Sequence, residues 1–367
     1  MKKVVVVPFS ERDHNNKCFT KEREDNIYYF FKLYFAEYGY EMITYDLVCE
    51  EDIDDVEYVL ICLFNPDIIW KYRILGKKMI YLCTEPEVVL SIDSIWGMKY
   101  LTEIFDYILT PFKNLQYFSN QNIRMGKSKV LPYYGIHSWK LERNGWLPFA
   151  KREILVNISG YKFSKNPQEM YSTRVKIIQS YENKPGFDFY GQGDWKVLHS
   201  KNYKGTVEEN YNNKFECYHH YRFALALENS NNLPEYYTEK ICDCFRAGIV
   251  PIYNPFKGLE KIIPASCYID FNSFDNYEEL WNYLVSMSED EWYEYIHNMD
   301  MFLRNCSSMY NREVKVIESN VKYIVETPTE NRQKKQLKTE MYLYSRLSNN
   351  IARKCKRFIK KIVRRGD

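Results

Sequence analysis

The sequence predicts an α/β protein of two consecutive units, each a parallel sheet with helices on both faces. Short apolar runs rich in Val, Ile, Leu and Tyr recur along the chain, separated by stretches of helical periodicity, as buried parallel strands and their crossover helices require. The pattern breaks in the charged, Trp-containing stretch 138–153, SWKLERNGWLPFAKRE, and then restarts. At 367 residues the chain suits two domains of ordinary size.

In order, residues 4–7 of MKKVVVVPFS read as a buried first strand, since the valine run before Pro8 is too short for a signal-peptide core. A helix is expected over 22–38, then strands at 42–45, 57–63, 78–83 and 107–109 with helical segments among them. After the linker come a strand at 154–158, a helix at 170–181, and strands at 187–190 and 222–227. A helix at 238–246 and a strand at 249–253 follow, with Gly248 where a C-cap glycine belongs. The chain then reads as helical from 276 to 326, and TPTENRQKKQ as a polar hinge. The expected domains are 1–148, 149–327 and a tail, 328–367. Ligands of such sheets bind beyond the carboxyl ends of strands, near helix N-termini, here in a cleft between the two units.

Composition narrows the function. Hydrophobic content of 45% and charged content of 27% describe a globular chain, and a net charge of +2 gives no global reason to expect nucleic acid. The 34 Tyr could stack on sugars, but Asn, Lys and Ile are also abundant, and AT-rich codons account for all four. The ten Cys are scattered without a CxxC pair, which argues against zinc and for small buried hydrophobes in a reducing compartment. No run of eighteen apolar residues exists to span a membrane.

The chemistry concentrates in ALENSNNLPEYYTEKICDCFRAGIVPIY, residues 226–253. An apolar strand stops at Glu228, a polar loop follows, and a helix begins near Thr238. That helix start offers unpaired N–H groups and partial positive charge to an anion. Lys240 in the first turn opposes the helix dipole; a bound phosphate would explain it, and so would a surface lysine tolerated at a few tenths of a kcal/mol.

This window resembles the donor-binding signature of glycosyltransferase family 10, the α-1,3/1,4-fucosyltransferases: a strand, E-N-S, a short loop, Y-x-T-E-K, a helix, then A-G-x-V-P-[IV]. Glu228-Asn229-Ser230, Tyr236, Thr238-Glu239-Lys240, Ala247-Gly248 and Val250-Pro251-Ile252 supply every fixed element. FDFYGQGDW (187–195), YSTRVKIIQSYEN (171–183) with Arg174, and MIYLCTEPEVV (79–89) extend the likeness over about residues 79–290. The first sixty residues and the tail match only in architecture.

The resemblance implies a GT-B fold of two Rossmann-like domains facing a cleft, a GDP-fucose donor and inversion at the anomeric carbon. Arg174 and Lys240 would hold the diphosphate, both partly solvated in the empty cleft, and Glu228, Asn229, Tyr236, Thr238 and Glu239 would complete the donor site. Cationic and N–H donors stabilise the charge that develops on leaving GDP, so no cofactor is required and a divalent metal would at most stimulate. The base for the acceptor hydroxyl is Glu85 or, since the serine usual between Glu and Pro is missing here, Glu87. The acceptor would be GlcNAc in an N-acetyllactosamine-like surface glycan, α-1,3 linked. Another GDP-sugar or acceptor, or a glycan- or nucleotide-binding protein without catalysis, are the alternatives.

Weaker constellations read as structural: Asp52-Ile53-Asp54 as an acidic turn, His219-His220 as loop or core histidines, and Gly191-Gln192-Gly193 as a turn. The end, IARKCKRFIKKIVRRGD, places apolar residues on one helical face and eight cations on the other. A basic amphipathic C-terminal helix of this kind binds anionic membrane surfaces. The expectation is a cytoplasmic enzyme, peripheral on the inner face of the membrane through residues 340–365, acting on a glycan that could be lipid-linked.

Overall fold

The computed structural model describes residues 1–21, 26–86, 88–89, 104–111, 128–133, 135, 137–231 and 233–327. Two compact units divide the chain: Met1–Ile136 with Arg312–Asp367, and His137–Asn311. The tail expected to form a basic helix lies outside the described residues.

The first unit carries β1 (Lys3–Val7), α1 (Ile27–Glu37), β2 (Glu41–Thr44), β3 (Val56–Ile61), α2 (Pro66–Ile74), β4 (Lys78–Leu82), β5 (Tyr107–Thr110) and β6 (Lys129–Pro132). The strands pair in the order β2-β1-β3-β4-β5-β6, all parallel. The valines of β1 are buried because the strand is central, each such side chain contributing about 1.5–3 kcal/mol on leaving water. Asn26 caps α1 and Asn65 caps α2, each side chain accepting from two backbone N–H groups. The buried Asp106 carboxylate accepts from Arg73 Nη1 (3.0 Å) and Met79 N (2.8 Å), fixing the start of β4. β6 was not expected: it is a partly exposed edge strand without an apolar run, ending in a proline that an edge tolerates.

The second unit carries β7 (Glu153–Ile158), α3 (Tyr171–Ser180), β8 (Phe187–Tyr190), α4 (Lys214–Tyr218), β9 (Tyr221–Leu225) and α5 (Glu239–Ala247). It continues with β10 (Val250–Tyr253), β11 (Ile269–Asp270), α6 (Tyr277–Ser286), α7 (Glu289–Asn305) and the start of α8 (Ser307–Glu326). Its order is β11-β10-β9-β7-β8, again all parallel. The chain leaves β7 for β8 on one side and returns to β9 on the other, so the topological switch point lies between the carboxyl ends of β7 and β9. Two parallel sheets with flanking helices are the elements of a GT-B-like pair of Rossmann domains.

Against the boundaries expected at 148 and 327, packing divides the chain at Ile136/His137 and inside α8. Residues 137–152 strap the end of α5. Arg143 donates to the Phe245 carbonyl (3.4 Å), Arg152 Nη1 to the Tyr221 (2.9 Å) and Gly248 (3.2 Å) carbonyls, and Glu142 N to Arg246 O. Later turns of α8 return to the first sheet, where Tyr58 and Tyr107 each donate to Ile324 O at 3.2 Å.

Candidate active site

The loop after β9 forms one wall of the switch point, and Glu228 organises it. The residue is only 1% exposed. Its Oε1 accepts from Thr238 N (2.8 Å), Thr238 Oγ1 (2.9 Å) and Tyr253 Oη (2.8 Å), and its Oε2 accepts from Lys240 Nζ (3.0 Å). Its own N–H donates to Asn254 Oδ1 at 2.7 Å. A buried carboxylate survives without water only where such donors replace it. Glu228 is therefore the anion set before the start of α5, and it supplies the partner that explains Lys240 without a ligand. Lys240 and Glu228 are twelve positions apart in sequence, so the pair leaves no mark at helical spacing.

Thr238 begins α5 as its N-cap, accepting from Lys240 N (3.4 Å), while Gly248 ends the helix in the left-handed region at φ 66°. Lys240 is half-buried beside Glu228. Glu239 emerges at the surface; crowding pushes its pKa up, but the Lys240 and Lys214 cations hold it below the usual carboxylate range. The loop carries backbone strain at Glu235, which adopts φ 61° immediately before the buried Tyr236.

Arg174 projects from the first turns of α3, and the expectation of a partly solvated side chain fails: it is 3% exposed. Its Nη2 donates to the carbonyls of Leu227 and Glu228 and, at 3.3 Å, to Asn229 Oδ1. Burial lowers its pKa, opposed by the charge of Glu228. These carbonyls lie just past the end of β9 and accept no backbone hydrogen bond from the described residues, so the guanidinium satisfies them. Asn229 is half-buried, and its carbonyl accepts from Met170 N at 3.1 Å. Arg174, Glu228, Asn229, Thr238 and Lys240 thus form one connected network.

Two residues of that network were not anticipated. Tyr253, its phenol pushed far up by burial and by Glu228, and Asn254, which holds Glu228 N and Ser230 O, close the end of β10. The signal was an asparagine ending an otherwise apolar strand. His137 stacks on Tyr237 with ring centroids 5.2 Å apart, packing the loop from behind.

In the first unit, Glu85 stands exposed three residues beyond β4, at the carboxyl edge of the sheet; Glu87 lies outside the described residues. Asp52 pairs with Lys3 and accepts from Cys49 N, a structural turn. His219 bonds the Glu142 carbonyl through Nε2 (2.6 Å). Gly191 allows a close approach, since a Cβ there would lie 1.9 Å from Ser159 O. Among the described residues, no group of three His, Cys, Asp or Glu side chains could hold a metal ion, and no helix is long and apolar enough to cross a membrane.

Residues 158–340 match the family described as glycosyltransferase family 10 (fucosyltransferase), C-terminal region. Similar solved structures include an α-1,3-fucosyltransferase with GDP, at 16% identity and TM-score 0.51, covering 89% of this chain and 91% of that one. An α-1,3-fucosyltransferase without a named ligand gives 15% identity, TM-score 0.53, and 90% and 93% coverage. The Anabaena protein HepE in complex with UDP-glucose gives 11%, 0.51, 89% and 100%. At these identities the structures establish the shared fold. No curated protein matches the chain significantly.

Proposed function

The chain carries the glycosyltransferase family 10 region over residues 158–340 and is a GT-B-class glycosyltransferase; from that premise we propose that it transfers fucose from GDP-fucose to a glycan hydroxyl with inversion. The observation that carries this reading is the network around Glu228, which holds the family's Asn229, Thr238 and Lys240 together at the switch point of the second sheet. The bond between fucose C1 and the β-phosphate oxygen breaks, and GDP leaves with the electron pair. The acceptor oxygen bonds C1 from the opposite face, and its proton passes to Glu85, or to Glu87. Lys240 turns from Glu228 toward the diphosphate. Arg174, whose bonds to described residues all run through Nη2, has Nη1 and Nε for the same charge. Asn229, Tyr236 and Glu239 contact ribose, phosphate or fucose, with Glu228 and Thr238 completing the site. The acceptor is an N-acetyllactosamine-like glycan joined α-1,3 at GlcNAc. The enzyme works without a metal, on the inner membrane face, held there by residues 340–365.

GDP release with GDP-fucose and an N-acetyllactosamine acceptor tests the donor and acceptor. Tighter binding of a UDP-sugar than of GDP-fucose would overturn the donor. Glu85→Gln is expected to lower turnover and spare GDP-fucose affinity; full activity there, with loss in Glu87→Gln, moves the base to Glu87. Activity should survive EDTA, and complete loss restored by manganese would contradict metal independence. The full chain should float with anionic vesicles at low salt and release at high salt. Equal flotation of a chain ending at Glu340 would remove the tail as anchor.

A further inference from the structure

Opposite the Glu228 loop, the other wall of the switch point is the loop that follows β7, residues 159–170. Its tip carries Lys162, Phe163 and Lys165, all exposed. At 76%, Phe163 is the most exposed large apolar side chain among the described residues. Single exposed apolar residues are ordinary on protein surfaces; this one is held out on a loop clamped at both ends. On one side Tyr161 N donates to Gln192 O (2.8 Å), Trp195 Nε1 donates to Ser159 O (2.8 Å), and the Tyr161 ring meets Trp195 edge-on at 5.0 Å. On the other side Asn231 N donates to Gln168 O (2.8 Å), and Glu169 bridges Ser230. The second clamp ties the loop directly to the Glu228-Asn229-Ser230 turn. Between the clamps, Lys162 and Lys165 form no ion pair and Phe163 no ring contact with any described residue.

An exposed aromatic side chain flanked by two cations without ion pairs among the described residues, on a loop anchored at both ends beside a sheet's switch point, matches a ligand that is flat and apolar at one end and anionic at the other. A nucleoside diphosphate is such a ligand. We infer that Phe163 stacks on the nucleobase of the donor and that Lys162 and Lys165 add to the field on its phosphates, making this arm a nucleotide-binding element of the donor site. The inference rests on the nucleotide-sugar reading above, but not on which nucleotide is used. Stacking reads the π face of a base, whereas the Arg174–Lys240 side reads only charge.

The test is equilibrium binding of GDP, with inorganic pyrophosphate measured by competition, to the full chain and three variants. Phe163→Ala is expected to raise the GDP Kd about tenfold, the scale of one lost base–aromatic stack, and to leave the pyrophosphate constant unchanged. Phe163→Trp should restore GDP binding and show fluorescence quenching by GDP but not by pyrophosphate. Lys162→Gln with Lys165→Gln should weaken both ligands and flatten the salt dependence of GDP binding. Unchanged GDP affinity in Phe163→Ala, or equal loss for GDP and pyrophosphate, would overturn the inference while leaving the donor reading intact. If the full chain bound UDP and not GDP, the guanine assignment would fall, and the same Phe163 comparison made with UDP would decide the stack. Failure to bind any nucleoside diphosphate would overturn both.

Discussion

The two ends of the helix Glu239–Ala247 are finished in opposite ways. At its start a buried carboxylate, Glu228, meets the N-terminal dipole and draws in Thr238 and a half-buried Lys240. At its end Arg143 and Arg152 meet the last carbonyls, with Arg152 stacked between Trp146 and Trp292, each ring centre 4.9 Å from its guanidinium carbon. Burial lowers the pKa of Arg152 to about 9, against a slight rise from Tyr293, and no carboxylate pairs with it among the described residues. Both ends obey the same dipole rule, yet only the first exposes a charge that can change partners. The difference separates scaffold from site within nine residues of helix.

Breaking the contrast starts with Arg174. Arg174→Ala strands two buried carbonyls, and should cost about 3–5 kcal/mol of folding stability by denaturant unfolding, in addition to activity. That revises the view of Arg174 as a pure ligand contact. Arg152→Met removes three carbonyl partners at the sealed end and should cost about 2–4 kcal/mol of stability while the folded fraction binds GDP normally. Lys240→Ala should show the reverse profile: about 2–4 kcal/mol lost from kcat/KM, and only about 1–2 kcal/mol from stability, because Glu228 keeps Thr238 and Tyr253.

How much of this contrast was legible in the sequence follows from which partners are local. The buried strands, the Thr238 start and the Gly248 stop were readable, because apolar runs and caps are decided within a few residues. The identity of Lys240's partner was not, since Glu228 is brought near by the turn of the loop. The burial of Arg174 depends on carbonyls more than fifty residues away. The strap of residues 137–152 looked like a linker for the same reason: its partners, the Tyr221, Phe245 and Gly248 carbonyls and the Asp300 carboxylate that pairs with Arg143, all lie about seventy residues or more away. Charge and spacing singled out residues that the fold brings into one network, and misjudged how much of their bonding is internal.

Two smaller effects sharpen the picture at the open end. Thr238→Val removes the cap and one donor to Glu228, and should cost about 1–2 kcal/mol by thermal unfolding. Glu239 has a depressed folded-state pKa, so whatever stability it adds is present above its unfolded value of about 4.3 and is lost as pH falls through the folded value. Removing the Lys240 cation should move that pKa upward, which carboxyl NMR titration of Lys240→Ala would read; no movement would mean that Lys214, the backbone N–H and His137 hold it without Lys240.

The most direct test of the central claim is GDP affinity, by calorimetry, in Lys240→Ala beside Arg152→Met, each at a temperature where the protein is fully folded. The account predicts at least about a tenfold loss for Lys240→Ala, the size of one charge-assisted contact, and an unchanged value for Arg152→Met. Equal losses in both variants, or none in Lys240→Ala, would contradict the assignment of the open end of this helix as the donor site.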